Sequence, residues 1–138
     1  MDDRQQIIDL TLTYAWALDT KQLDELRNVF APDATADLRG VACDGVESII
    51  TRIGGAILRL DATQHFTGNH QIVVTGDTAT CRCQLQSQHV KAGVDGGDTY
   101  MVGGYYEDRL ARTADGWRIT HRLMAQTWTT GNPAVTRR

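Results

Sequence analysis

The chain has 138 residues, of which 41% are apolar and 22% charged, so it has the composition of one globular domain and not of a disordered chain. A net charge of −3 argues against a nucleic-acid-binding protein, and no run of 18 apolar residues predicts a membrane span. No apolar signal core follows the N-terminus, so we expect a cytoplasmic protein with a single domain over residues 1–138.

The first sixty residues show the apolar spacing of helices. Asp2 or Asp3 is suited to cap a first helix that ends at Asp19. A second helix is predicted from about Lys21 to Phe30, where the proline of the segment 31–33 ends it.

A short strand is predicted at residues 35–38, before the next helix. Asp44 and Gly45 open a third helix that runs to Leu60, with apolar residues three or four positions apart. The pair Gly54–Gly55 weakens this prediction in the middle of the helix.

From Thr63 onward, apolar and polar residues alternate as in strands. Turn residues separate four predicted strands, at 63–75, 78–91, 98–113 and 116–130. The short turns favour an antiparallel meander. Helices followed by a long antiparallel sheet predict an α+β fold in which a curved sheet wraps around the helices. Such a sheet leaves a cavity at its open end, although a filled core has the same sequence pattern.

Several kinds of chemistry are not indicated by the motifs. The sequence has no P-loop, no GxGxxG, no Gly-x-Ser-x-Gly elbow, no HExxH and no CxxC. Among the four histidines, His65 and His70 lie on one predicted strand, where we expect them to face opposite sides. We therefore expect neither a metal nor an organic cofactor. The three cysteines, an odd number, are expected to be reduced and to act as small apolar residues.

Asp19 and His65 are the candidate catalytic residues. Asp19 ends a mostly apolar helix, which is an unfavourable place for an anion. It could equally cap the second helix through the Asp-x-x-Gln pattern of residues 19–22, and spacing alone leaves both interpretations open. His65 could be a hydrogen-bonded structural histidine, but an imidazole oriented by a carboxylate is a general base that works near neutral pH.

The chain resembles the SnoaL-like group of the nuclear transport factor 2-like superfamily over essentially its whole length. The similar branch contains scytalone dehydratase, hexachlorocyclohexane dehydrochlorinase and bile acid 7α-dehydratase. The resemblance lies in residues 17–26, in the sequence FAPDA at 30–34, in HFTGN at 65–69, in GGYYED at 103–108 and in GWRI at 116–119.

This resemblance implies a cone-shaped fold in which helices pack in the concavity of the sheet, and a homodimer or higher homo-oligomer. It also implies that His65 takes a proton from carbon while Asp19 orients it. Tyr14 matches a family tyrosine five residues before the aspartate, although the two positions lie on different faces of a helix. Arg122 could supply positive charge to a substrate. Leu18 and Leu38 stand where scytalone dehydratase has tyrosines, so identical machinery is not expected.

The leading hypothesis is a cofactor-independent lyase or isomerase acting on a small hydrophobic molecule, with polycyclic compounds among the candidates. Asp19 and His65 would be catalytic, and Tyr14 and Arg122 would bind the substrate. A polyketide or terpenoid cyclase could use the same base. A non-catalytic module for ligand binding or dimerisation is the alternative from another class. A pair that points into an open cavity would favour an enzyme.

Overall fold

The computed structural model describes residues 2–137, so Met1 and Arg138, the two ends of the predicted domain, lie outside the described residues. The helices are α1 (Asp3–Asp19) and α2 (Val46–Ile57), with 3₁₀ turns at Leu23–Asn28 and Pro133–Thr136. The strands are β1 (Phe30–Leu38), β2 (Val41–Asp44), β3 (Ala62–Thr75), β4 (Thr78–Val90), β5 (Thr99–Thr113) and β6 (Gly116–Gly131).

The six strands form one mixed sheet in the order β2-β1-β6-β5-β4-β3. Strands β3 to β6 are the predicted antiparallel meander. An antiparallel sheet was predicted, but strand β1 lies parallel to β6, so the sheet is mixed. The predicted α+β class, with helices packed against a curved sheet, is confirmed, and one apolar core lies between the two layers.

The prediction of a second helix over residues 21–30 was wrong. Only a 3₁₀ turn forms there, and β1 already begins at Phe30 and runs through Pro32. Proline is tolerated because the pairing of β1 with β6 shifts register between Phe30 and Thr35, where the ladder needs no N–H from residue 32. Strand β2 was not predicted, and α2 begins only at Val46.

The end of α1 fixes the direction of Asp19. The chain enters the left-handed region at Lys21 (φ 57°), and Gln22 N–H donates to the carbonyl oxygen of Ala17 at 2.8 Å. This is a Schellman ending, made here with lysine instead of glycine. Lys21 Nζ donates to the carbonyl oxygen of Leu60 at 2.6 Å, which ties this turn to the end of the α2 segment.

A β-bulge in β3 changes which way its histidines point. Gly68 pairs with Gln84 and Gln71 with Arg82, so two residues of β3 face one residue of β4. As a result, His65 and His70 both contact α1, and the prediction that they face opposite sides was wrong.

Across residues 2–137, neither α-helix combines the length and the apolar character needed to cross a membrane.

Candidate functional site

The side chains of Asp19 and His65 meet where the end of α1 approaches β3. Asp19 Oδ1 lies 2.6 Å from His65 Nδ1 and accepts a second hydrogen bond from the Thr63 hydroxyl at 2.9 Å. Asp19 Oδ2 accepts from the backbone N–H of His65 at 2.8 Å. The carboxylate is therefore fixed by three donors from one strand.

This hydrogen bonding sets the protonation of the pair. A carboxylate only accepts hydrogen bonds, so the neutral imidazole of His65 carries its proton on Nδ1 and has its lone pair on Nε2. Burial alone would raise the pKa of Asp19, but the hydrogen bonds from His65 and Thr63 outweigh burial and lower it. Asp19 is thus ionised at neutral pH and can stabilise an imidazolium on His65.

The alternative that Asp19 caps the following helix is wrong. The residue at the N-cap position of the 3₁₀ turn is Gln22, and no side chain makes a capping hydrogen bond there. Both carboxylate oxygens of Asp19 instead bind β3.

His65 lines a cavity of about 100 Å³ between the helices and the concave side of the sheet, which we call the central cavity. Its wall is mainly apolar, with a few polar groups that converge on the interior. The lining residues are Tyr14, Leu18, Leu38, Arg39, Arg52, Ile53, Ala56, Ile57, His65, Leu85, Ser87, His89, Val102, Tyr106 and Met124. Asp19 is not among them and lies behind His65.

His89 also belongs to the site, although no motif in the sequence marked it. His89 is buried, and its ring lies 6.2 Å from that of His65, centroid to centroid. Its Nδ1 lies 2.9 Å from the carbonyl oxygen of Tyr100, so Nδ1 carries a proton and the neutral ring has its lone pair on Nε2. Burial lowers the pKa of His89 and outweighs the hydrogen bond to the Tyr100 carbonyl, which raises it; the positive charge of Arg39 also lowers it.

Tyr14, which the resemblance suggested for substrate binding, lines the cavity, and Tyr106, which was not predicted, lies against it with ring centroids 5.6 Å apart. The two positions lie on different faces of α1, as expected: Tyr14 faces the cavity while Asp19 faces β3. Burial raises the pKa of both phenols, so they remain protonated donors at neutral pH. The position of Tyr106 could have been predicted from the sequence. It lies an even number of residues from Val102 and Leu110, so all three share the buried face of β5.

Arg122 does not line the cavity, contrary to the expectation that it binds substrate directly. It is fully buried, and Asp108 accepts from its Nε and Nη2 at 2.8 and 2.9 Å. Its guanidinium carbon lies 4.3 and 3.9 Å from the ring centroids of Tyr14 and Tyr106. A buried guanidinium needs a carboxylate partner, and Asp108 faces it across the β5–β6 ladder. Arg122 is therefore placed to act on a ligand through the two tyrosines and not by direct contact.

Within residues 2–137, no three side chains of His, Cys, Asp or Glu lie close enough together to hold a metal ion.

Comparison with known proteins places residues 1–123 in the SnoaL-like domain family. The uncharacterized protein Rv2910c of Mycobacterium tuberculosis is 35% identical over 125 residues, which is 89% of this chain and 84% of that protein.

Solved structures share the fold. The Kfla4162 protein of Kribbella flavida superposes with a TM-score of 0.89 at 26% identity, covering 99% of this chain and 97% of that one. A protein assigned as a scytalone dehydratase from Novosphingobium aromaticivorans has a TM-score of 0.82 at 20% identity, over 94% and 87% of the two chains. The hexachlorocyclohexane dehydrochlorinase LinA type 2 superposes with a TM-score of 0.83 at 17% identity, over 94% of this chain and 88% of that one. The last two similarities concern the fold alone.

Proposed function

We propose that this chain, which belongs to the SnoaL-like family, is a small lyase or isomerase that abstracts a proton from carbon with His65. The observation that carries the proposal is the contact of 2.6 Å between Asp19 and His65 at the wall of the central cavity. The use of this scaffold by a dehydrochlorinase and by a protein assigned as a dehydratase supports the same class of reaction.

The proposed reaction is a β-elimination of water from a hydroxy-carbonyl compound. His65 Nε2 takes the proton next to the carbonyl, and the electrons of that C–H bond form an enolate. The enolate then reforms the carbonyl and makes a carbon–carbon double bond as the β-carbon–oxygen bond breaks. The leaving oxygen takes the proton back from the imidazolium, so water leaves and the enzyme returns to its starting state. Asp19 stabilises the imidazolium in between.

Tyr14 and Tyr106 are suited to stabilise the enolate oxygen. Both phenols are buried and line the cavity, and a donor in a site that excludes water is worth more than in bulk solvent. Arg122 lies behind both rings, and its positive charge opposes the effect of burial on the pKa of each phenol. We therefore assign Arg122 as a positioning residue and not as a substrate ligand.

The size of the cavity limits the substrate. Ligand sites usually enclose about 300–1,000 Å³, whereas the central cavity encloses about 100 Å³. A body of about one ring fits this space better than the polycyclic substrate suggested by the sequence. The apolar wall favours a hydrophobic body.

We also propose that the chain self-associates. Trp16 and Phe66 are 70% and 66% exposed, and both border one groove beside the end of α1. Large exposed apolar side chains grouped in this way are typical of interaction surfaces. Sedimentation equilibrium would detect the oligomer, and a monomer at micromolar concentration would contradict the proposal.

The test of the reaction uses 3-hydroxycyclohexanone, whose dehydration to an enone is followed by ultraviolet absorbance. His65→Gln should lower kcat by about 10²-fold or more, and Asp19→Asn should lower it as well. His121→Gln is the matched control, because His121 binds the Thr35 hydroxyl at 2.7 Å and does not line the cavity.

Compounds without a leaving group extend this test. Exchange of the α-protons of cyclohexanone in D₂O reports proton abstraction alone. Full activity of His65→Gln on a substrate that the natural protein converts would refute the assigned base. Neither turnover nor exchange across a panel of compact ketones, together with tight binding of one of them, would favour the binding module.

A further inference from the structure

Two arginines stand at the mouth of the central cavity. Arg39 and Arg52 both line it; Arg39 is exposed and Arg52 partly exposed, so each contacts cavity and solvent. Within the described part of the chain, neither takes part in an ion pair. The lining residues of the cavity, as far as the structure describes them, include no Asp or Glu. Among the described residues, the two positive charges at the mouth therefore have no ion-pair partner and no acidic side chain beside them in the cavity wall.

Arg39 is placed there by a turn that does not favour arginine. Leu38 pairs with Val41, so β1 and β2 are joined by the two residues Arg39 and Gly40. Both have positive φ, 57° and 84°, and two-residue hairpins of this kind prefer Asn-Gly. Arginine rarely adopts this conformation, and residues in such conformations concentrate at functional sites. The turn thus places the long, positively charged side chain of Arg39 at the cavity. The short side chain of asparagine would suit this backbone conformation better.

Arg52 approaches the mouth from α2. That helix buries Ile49, Ile53 and Ile57 against the core, and Arg52 lies on the flank of this apolar face. A long side chain in this position can pack its stem along apolar surface while its charged end stays near water. The two arginines thus come from separate elements and line the same cavity.

We infer that the substrate carries an anionic group, a carboxylate or a phosphate, that binds at Arg39 and Arg52 while its apolar body lies against His65. This inference deepens the proposed function, since it rests on the same cavity and assigns the charge of the substrate. Guanidinium groups bind carboxylate and phosphate through paired hydrogen bonds, which makes arginine the favoured residue for both anions.

The positive charge of Arg39 is expected to reach the interior of the cavity. Burial is the main cause of the lowered pKa of His89, and the positive charge of Arg39 contributes to it. An anion bound at the mouth would neutralise this charge. Because the cavity holds a body of only about one ring, the anionic end of a longer molecule would extend to the opening.

The test measures binding and not turnover, so it can fail independently of the proposed reaction. Titration calorimetry at low salt compares trans-cinnamate, its neutral amide and styrylphosphonate. The variants are Arg39→Asn, which suits the turn, and Arg52→Gln. Arg109→Gln, an exposed arginine on β5 that does not line the cavity, is the matched control.

We expect cinnamate to bind about tenfold or more tightly than the amide, which corresponds to about 1.4 kcal/mol, and the preference to decrease with salt. Arg39→Asn and Arg52→Gln should each reduce this preference, while Arg109→Gln should keep it. A stronger preference for styrylphosphonate would identify phosphate as the anion. Equal affinity for acid and amide, no binding of either at millimolar concentration, or a full preference in both cavity variants would overturn the inference.

Discussion

Replacing Asp108 by asparagine should destabilise the protein strongly, because it leaves the charge of Arg122 buried without a partner. The two side chains are 1% and 0% exposed and share hydrogen bonds of 2.8 and 2.9 Å. Burial alone would lower the pKa of Arg122, but Asp108 outweighs it and raises the pKa, so the guanidinium stays charged. Asparagine keeps the shape of aspartate but presents an N–H₂ donor to a group that only donates.

The expected loss is a large part of the total stability. Breaking a buried ion pair from one side costs about 3–5 kcal/mol, whereas a domain of this size is stable by about 5–15 kcal/mol. Arg122 Nη1 has no hydrogen-bond partner even in the intact pair, so no spare acceptor compensates for the change. The double variant Asp108→Leu/Arg122→Met removes both charges and keeps apolar contact with the tyrosine rings. It should be more stable than Asp108→Asn.

The assay is urea unfolding followed by tryptophan fluorescence and far-ultraviolet circular dichroism, at one protein concentration for all variants. Glu107→Gln, an exposed neighbour on β5, is the control and should change the unfolding free energy by about 0.5 kcal/mol or less. A loss below about 1 kcal/mol in Asp108→Asn would refute the reasoning, because that value is expected of a solvated pair. A double variant less stable than Asp108→Asn would refute it too.

Two further predictions concern acid stability and the packing of the sheet. The pKa of Asp3 is lowered to about 2 by hydrogen bonds, chiefly from Arg112, so its stabilisation is present above the ordinary value of 3.8 and is lost as the pH falls toward 2. Asp3→Asn should therefore lower Tm at neutral pH and flatten the decline in Tm between pH 4 and 2; an unchanged acid profile would contradict this. Gly104→Ala would bring its Cβ within 1.9 Å of the backbone carbonyl oxygen of Ala125, which cannot rotate away, and should cost about 1–3 kcal/mol in thermal melts. Gly68→Ala, which meets nothing within 4 Å, is the control, and equal melting temperatures of the two variants would contradict the packing argument.

The alternation of residues along the chain determined most of the sheet. The predicted strand at 78–91 is found as Thr78–Val90, and Ala79, Cys81, Cys83 and Leu85 are buried as their spacing predicted. Period-two alternation is local, because successive side chains in a strand point to opposite faces. The Asp19–His65 contact, expected from the family resemblance, is likewise present in the structure, while its catalytic role remains a proposal.

Pairing between distant segments decided the rest. Pro32 looks like a helix terminator locally, yet it lies in β1 because the parallel pairing with β6 is irregular there. The bulge in β3 turned His70 toward α1, against simple alternation. From the sequence, Arg122 was expected to supply positive charge to a substrate. The β5–β6 register instead places Asp108 opposite it. Contacts between residues far apart in the chain decide which charges are buried and which remain free at the cavity mouth. Local sequence patterns do not specify those contacts.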